Sequence, residues 1–185
     1  MPGQSKRSRR ANPYADAPDD ELEAAYREAI EGYADRVGYF ESLPGWMFHD
    51  FKKIHERGPA AYGLTGGEWR QFYTDRARHM AEGLRLGEIA SERRRRLMEA
   101  ARAEVASCPT LDAARAAMER RAPVLGPGRP WRMADGGDVR EFVMRGEQSA
   151  DESAAWRGAA AGYADACLAD FERRVEALAH GEGGD

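Results

Sequence analysis

Apolar residues recur along this chain at steps of three and four, and the elements they predict are helices. Leu22, Tyr26, Ile30, Tyr33, Val37 and Phe40 form one such stripe. Pro18 opens it, and Asp19, Asp20 and Glu21 place negative charge in its first turn, where the helix dipole favours it. This helix stops before Pro44-Gly45. A shorter helix follows from Trp46 to Arg57, with Met47, Phe48, Phe51 and Ile54 on its buried face and Gly58-Pro59 at its end. Thr65-Gly66-Gly67-Glu68 then has the form of a capping box, in which a hydroxyl and a carboxylate satisfy each other's backbone amides.

Beyond that cap the pattern predicts a long central helical segment reaching towards Cys108. Its stripe runs through Trp69, Phe72, Met80, Leu84, Leu97, Met98, Ala101 and Val105. Gly83 and Gly87 interrupt it, each costing about 1 kcal/mol relative to Ala, so a kink, a break or a close helix crossing is expected there. A short helix is predicted from Leu111 to Arg121. Residues 122–137 hold three Pro and four Gly and read as the main loop. Val139 to Met144 is ambiguous between helix and strand. A second capping box, Ser149 to Glu152, is expected to start the last helix, with a stripe of Trp156, Ala160, Tyr163, Cys167, Phe171, Val175 and Leu178. That stripe is expected to be core throughout.

The fold class predicted is therefore all-α: an irregular helical bundle with a long central helical segment. Residues 1–17 lack periodicity and carry a basic tip, Ser5-Lys6-Arg7-Ser8-Arg9-Arg10, so they are expected to be disordered. Residues 18–185 are expected to form a single helical domain with the Pro/Gly-rich loop at 122–137.

Composition narrows the function classes. The net charge of −4 argues against a dedicated nucleic-acid binder. No secretory signal and no run of about 18 apolar residues occur, so a cytoplasmic chain without a membrane span is expected. Cys108 and Cys167 are the only cysteines and read as buried free thiols, with a disulfide as the alternative. Arg and Ala abound while Lys is confined to Lys6, Lys52 and Lys53, which points to a GC-rich bacterial source.

The chemistry-bearing candidates are few. Asp75, His79 and Glu82 share a helix face at a spacing that suits a metal, but an ordinary salt-bridge face has the same spacing. No Glu-x-x-His pair of the kind helical di-metal sites use is present. Arg174 and His180 are spaced as in the HEPN ribonuclease signature, yet Val175 follows the arginine where that signature carries a polar residue. Arg93 to Arg96 ring their helix instead of forming a patch, with Glu88, Glu92 and Glu99 within pairing distance. Arg94 falls on the apolar stripe and is expected to find a carboxylate on a neighbouring helix, the acidic first helix being the candidate. Trp131 sits between Arg129 and Arg132 in the loop, the composition of an interface anchor or equally of a loop Trp folded back onto the bundle. No nucleophile, phosphate-loop or dinucleotide motif is found. No catalytic, cofactor-binding or metal residue is therefore assigned, and no cofactor is expected.

One stretch carries a resemblance. Phe51-Lys52, Ile54, Glu56, Pro59-Ala60-Ala61-Tyr62, Trp69, Gly83 and Glu88-Ile89 follow an order similar to the helical N-terminal region of nitrile hydratase β subunits and the related thiocyanate hydrolase subunit. The likeness covers about 40 residues. Lys52 stands where that family has Arg, and neither the β-barrel that follows nor the α subunit's metal-binding cysteine cluster has a counterpart. What it implies is a subunit or accessory protein of a metalloenzyme, lacking the metal site itself. A phage- or plasmid-type nucleic-acid accessory protein using the basic tip is a further alternative. The leading expectation is a non-catalytic helical protein that acts through protein–protein interaction, with a protein partner or a second copy of itself.

Overall fold

The computed structural model describes residues 11–41, 56–123 and 139–180. It is all-α, with no strand among the described residues. Four α-helices occur there: α1 (Asp19–Glu41), α2 (Gly66–Ala106), α3 (Leu111–Glu119) and α4 (Val139–Ala179), with a short 3-10 helix at Pro59–Tyr62. Most of the short helix expected at 46–57, and the loop from residue 124 onward, lie outside the described residues. Where one domain is expected over 18–185, the chain separates into two compact units, Met1–Glu92 and Arg93–Asp185, divided within α2.

In the first unit, α1 begins directly after Pro18 with its acidic first turn in place. Leu22, Tyr26, Ala29, Ile30 and Ala34 are buried along it, close to the stripe read from the sequence. Residues 11–17, expected to be without structure, form turns closed by Ala15 to Asn12 and Ala17 to Tyr14 bonds. The Asn12 amide also donates to the Glu88 carbonyl at 2.8 Å.

α2 starts at the predicted capping box. The Thr65 amide donates to the Glu68 carboxylate at 2.8 Å, and the Glu68 amide donates to the Thr65 hydroxyl at 3.2 Å. The helix then runs without interruption through Gly83 and Gly87. Gly83 is where a close approach occurs, because a Cβ there would lie 3.2 Å from the Tyr33 ring. Gly87 faces open space.

The stripe expected on α2 is partly misplaced. Met80 and Leu84 are exposed, whereas Leu86, Ile89 and Ala90 are buried with Phe72. The reason is that polar residues occupy much of the inward face. Asp75 is buried, and His79 and Glu82 follow it at helical spacing opposite Arg36 and Tyr33 of α1. The hydrophobic line through Tyr73, Met80 and Leu84 lies about 100° around the helix from Phe72 and Ala90.

In the second unit, α3 and α4 pack directly on each other and on the end of α2. Thr110 caps α3, its hydroxyl accepting from the Ala113 amide at 3.2 Å. Ala101, Val105, Ala114, Ala117 and Ala159 form the core, with Cys108, Met118, Ala155, Tyr163 and Ala166 against it. Rising numbers on α2 meet rising numbers on α4: Arg94 meets Asp151, Met98 meets Gly158, and Arg102 meets Asp165. These two helices therefore run parallel, and α3 returns alongside the pair in the opposite direction.

Two corrections to the sequence reading belong to α4. The helix begins at Val139, ten residues before Ser149, so Ser149 is interior and caps nothing. Its carbonyl accepts from the Ser153 hydroxyl at 2.8 Å, as in any helix interior. The buried line is also not the expected one. Ala154, Gly158, Ala159 and Gly162 are buried, Trp156 and Tyr163 are half-buried, and Phe171, Val175 and Leu178 are exposed.

Small residues take the centre because two backbones meet there. A Cβ on Gly158 would sit 2.7 Å from the Met98 carbonyl carbon, and one on Gly162 would sit 3.1 Å from that of Arg102. The side-chain layer that ordinarily holds helix axes about 8–10 Å apart is absent at this contact.

Candidate functional site

The sequence-derived candidates come to rest in three places. Asp75, His79 and Glu82 face α1, where Arg36 serves both carboxylates. Its Nη1 is 4.0 Å from Asp75 Oδ1, and its Nε is 3.4 Å from Glu82 Oε2. Gln71 donates to the other Asp75 oxygen at 3.0 Å. His79 stacks on Tyr33, with ring centroids 5.1 Å apart and planes 14° from parallel. Burial holds the His79 imidazole below its ordinary value, Glu82 opposing that shift and Arg36 adding to it. Among the described residues, no three His, Cys, Asp or Glu side chains come together as a metal ligand set. The face thus joins α1 to α2 through a charged network.

The arginine run is likewise used internally. Arg95 pairs with Glu99 one turn on, at 2.6 Å. Arg93 and Arg94 share Asp151, and Arg94 also reaches Glu147. The neighbouring carboxylates come from α4, not from the acidic first helix as expected. The register explains this: α4 begins early enough for Glu147 and Asp151 to lie level with Arg93 and Arg94. Arg93, Arg94 and their partners are largely covered, and the exposed Arg95 is paired with Glu99 on its own helix, so the run offers no continuous basic face.

Arg174 pairs with Asp170 of its own helix at 2.8 Å, and His180 lies just past the helix end, its amide bonded to the Glu176 carbonyl. Cys108 and Cys167 are free thiols. Trp46, His49, His55 and Trp131 lie outside the described residues. Of the stretch resembling nitrile hydratase β subunits, Pro59–Tyr62 forms the 3-10 helix, Trp69 lies in the first turn of α2, and Gly83 sits in that helix's interior.

The last part of the stripe that sequence reasoning assigned to the core, Phe171, Val175 and Leu178, proves to be surface, and Leu168 joins it. Beyond Ala166 the end of α4 carries Leu168, Phe171, Val175 and Leu178, exposed by 57%, 63%, 47% and 71%. Their spacing is three, four and three, which aligns them on one side of the helix as the a and d positions of a heptad. That side lies opposite Gly158 and Gly162, which face α2. α2 stops at Ala106, where a groove of about 230 Å³ is lined by Ala106, Cys108, Thr110, Ala166, Ala169 and Arg173. α4 continues about 15 Å further, from Ala169 to Ala179, at 1.5 Å per residue.

The edges of this seam differ in charge. Asp165 and Glu172 run along one edge, and Arg174 stands on the other. Asp165 is held below the usual carboxylate range by its hydrogen bonds to Arg102, at 2.6 and 3.0 Å. No helix among the described residues is long and apolar enough to cross a membrane. No family model, curated protein or solved structure matches the chain.

Proposed function

We propose that this protein acts by binding another protein and that the exposed seam at the end of α4 is where it does so. The observation that carries this reading is the line Leu168, Phe171, Val175 and Leu178, four large apolar side chains in regular register on the outer face of a helix. Scattered single apolar residues are ordinary on a protein surface, but an aligned row of them marks a surface that is covered in use. The polar chemistry in the described residues supports the same reading, because the Asp75–Glu82 cluster and the Arg93–Arg94 pair are spent on joining helices.

The test is a comparison of wild type with Phe171→Asp/Leu178→Asp in the source cell, by cross-linking and affinity capture. Wild type is expected to retain a defined protein, or a second copy of itself, that the variant loses at unchanged thermal stability. Identical capture by both, with both monomeric by light scattering, defeats the proposal.

A further inference from the structure

We infer that the exposed line on the first half of α2 pairs antiparallel with the same line on a second copy of this chain. This contact is separate from the seam of α4 and does not rest on it. Arg70, Tyr73, Ala77, Met80, Leu84 and Gly87 follow one another at steps of three and four, and all six are exposed. Tyr73 is held in place by Trp69, whose ring meets it edge-on at 5.2 Å between centroids.

The line is complementary to itself when reversed. Antiparallel packing about a point between Ala77 and Met80 sets Tyr73 against Leu84 of the second copy, Ala77 against Met80, and Arg70 against Gly87. Apolar meets apolar in the first layer, and small meets large in the second. In the third, Gly87 has open space beside it and lets the Arg70 stem pass. Each contact then occurs twice, as a two-fold pair requires.

Charge gives the same answer. Arg70 and Glu88 lie on one edge of the line, each about 60° around the helix from Tyr73. Antiparallel packing brings like edges together, so the Arg70 guanidinium of each copy meets the Glu88 carboxylate of the other. Both charges are available, because both residues are exposed and neither side chain enters an ion pair among the described residues. The Thr74 hydroxyl and the Asn12 amide donate only to the carbonyls of Arg70 and Glu88. The rest of that edge is Thr74 and Ala81, and the other edge sets Arg76 beside Gly83, so no like charges meet. A parallel pair would instead place Arg70 against its own copy and Glu88 out of reach, which opposes association.

The contact spans about 26 Å of helix, at 1.5 Å per residue, so the dimer is of the weak class and forms at high protein concentration. Sedimentation equilibrium of the full-length protein is expected to show monomer and dimer exchanging. Arg70→Glu and Glu88→Arg each replace two ion pairs by two like-charge contacts, and each alone should raise the dissociation constant about tenfold. An equimolar mixture of these two variants should regain the wild-type constant, because one chain then carries Glu at both positions and the other Arg at both. Met80→Asp/Leu84→Asp should leave a monomer of unchanged helix content by circular dichroism.

Wild type that stays monomeric up to about 1 mM overturns the inference. A dimer indifferent to Met80→Asp/Leu84→Asp does so too, as does a mixture that associates no better than its two components. Phe171→Asp should leave the dimer intact. If it dissociates the dimer, the self-contact belongs to α4, and this inference fails while the interaction reading stands.

Discussion

Gly158→Ala inverts the usual effect of replacing a helical glycine. In an unobstructed helix the change is worth about 0.5–1 kcal/mol in favour of Ala, because the unfolded chain loses freedom. Gly158 is obstructed. The new Cβ would lie 2.7 Å from the Met98 carbonyl carbon and closer still to its oxygen. A flexible side chain can swing away from such a contact, but the backbone of a parallel helix cannot. Relief requires α2 and α4 to part, which opens the interface around Ala101, Val105 and Ala159. Overpacking of this kind costs about 1–3 kcal/mol, and the rigid neighbour places this site in the upper half of that range. Subtracting the helix gain leaves a net loss of about 1–2 kcal/mol. For a chain of 185 residues that is a fall in Tm of about 2–8 °C, at about 2–4 °C per kcal/mol. Thermal melts followed by far-UV circular dichroism measure it, with Gly87→Ala and Gly146→Ala as controls of opposite sign, since a Cβ at either meets nothing within 4 Å. A Gly158→Ala protein that melts at or above wild type, as the controls should, would show that the two backbones do not touch there. Gly162→Ala should behave like Gly158→Ala, and the two together should cost less than their sum, because both part the same interface.

Three further outcomes follow from the same structure. Because the folded-state His79 pKa lies below its ordinary value, the unfolded chain takes up a proton first. Stability is therefore full above about pH 6.5 and falls as pH drops from there towards the folded value, and Tm measured against pH should lose that slope in His79→Phe, which keeps a ring on Tyr33. Thr65→Ala should cost about 0.5–2 kcal/mol in urea melts by removing the cap of α2, whereas Ser149→Ala, inside α4, should stay within about 0.5 kcal/mol of wild type. A chain ending after Cys167 should melt within a few degrees of full length, because the large apolar side chains removed are exposed, while one ending before Ser149 should fail to fold because it loses Ala154, Gly158 and Ala159; equal behaviour of the two truncations would return the whole of α4 to the core.

Local features of this protein were legible in its sequence wherever one segment satisfied its own requirements. The α1 stripe, the acidic turn after Pro18, the Thr65–Glu68 box and the short helix after Pro109 all depend on neighbours three or four residues away, so spacing alone reveals them. Arg95 and Glu99 belong to the same class. Tertiary structure decided the rest, because the deciding neighbour came from elsewhere in the chain. Asp75, His79 and Glu82 turn inward only because α1 presents Arg36 and Tyr33 to them, and this leaves Met80 and Leu84 outside. Arg94 finds Glu147 and Asp151 only because α4 starts at Val139. Gly158-Ala-Ala-Ala-Gly162 did carry a signal, small residues four apart, but its meaning as a backbone contact required α2 beside it. The end of α4 shows the limit most directly. Periodicity records that Leu168, Phe171, Val175 and Leu178 share a face, and it is identical for a face buried in its own fold and one left for a partner. Only the packing of α2 and α3 against the other side of α4 distinguishes the two.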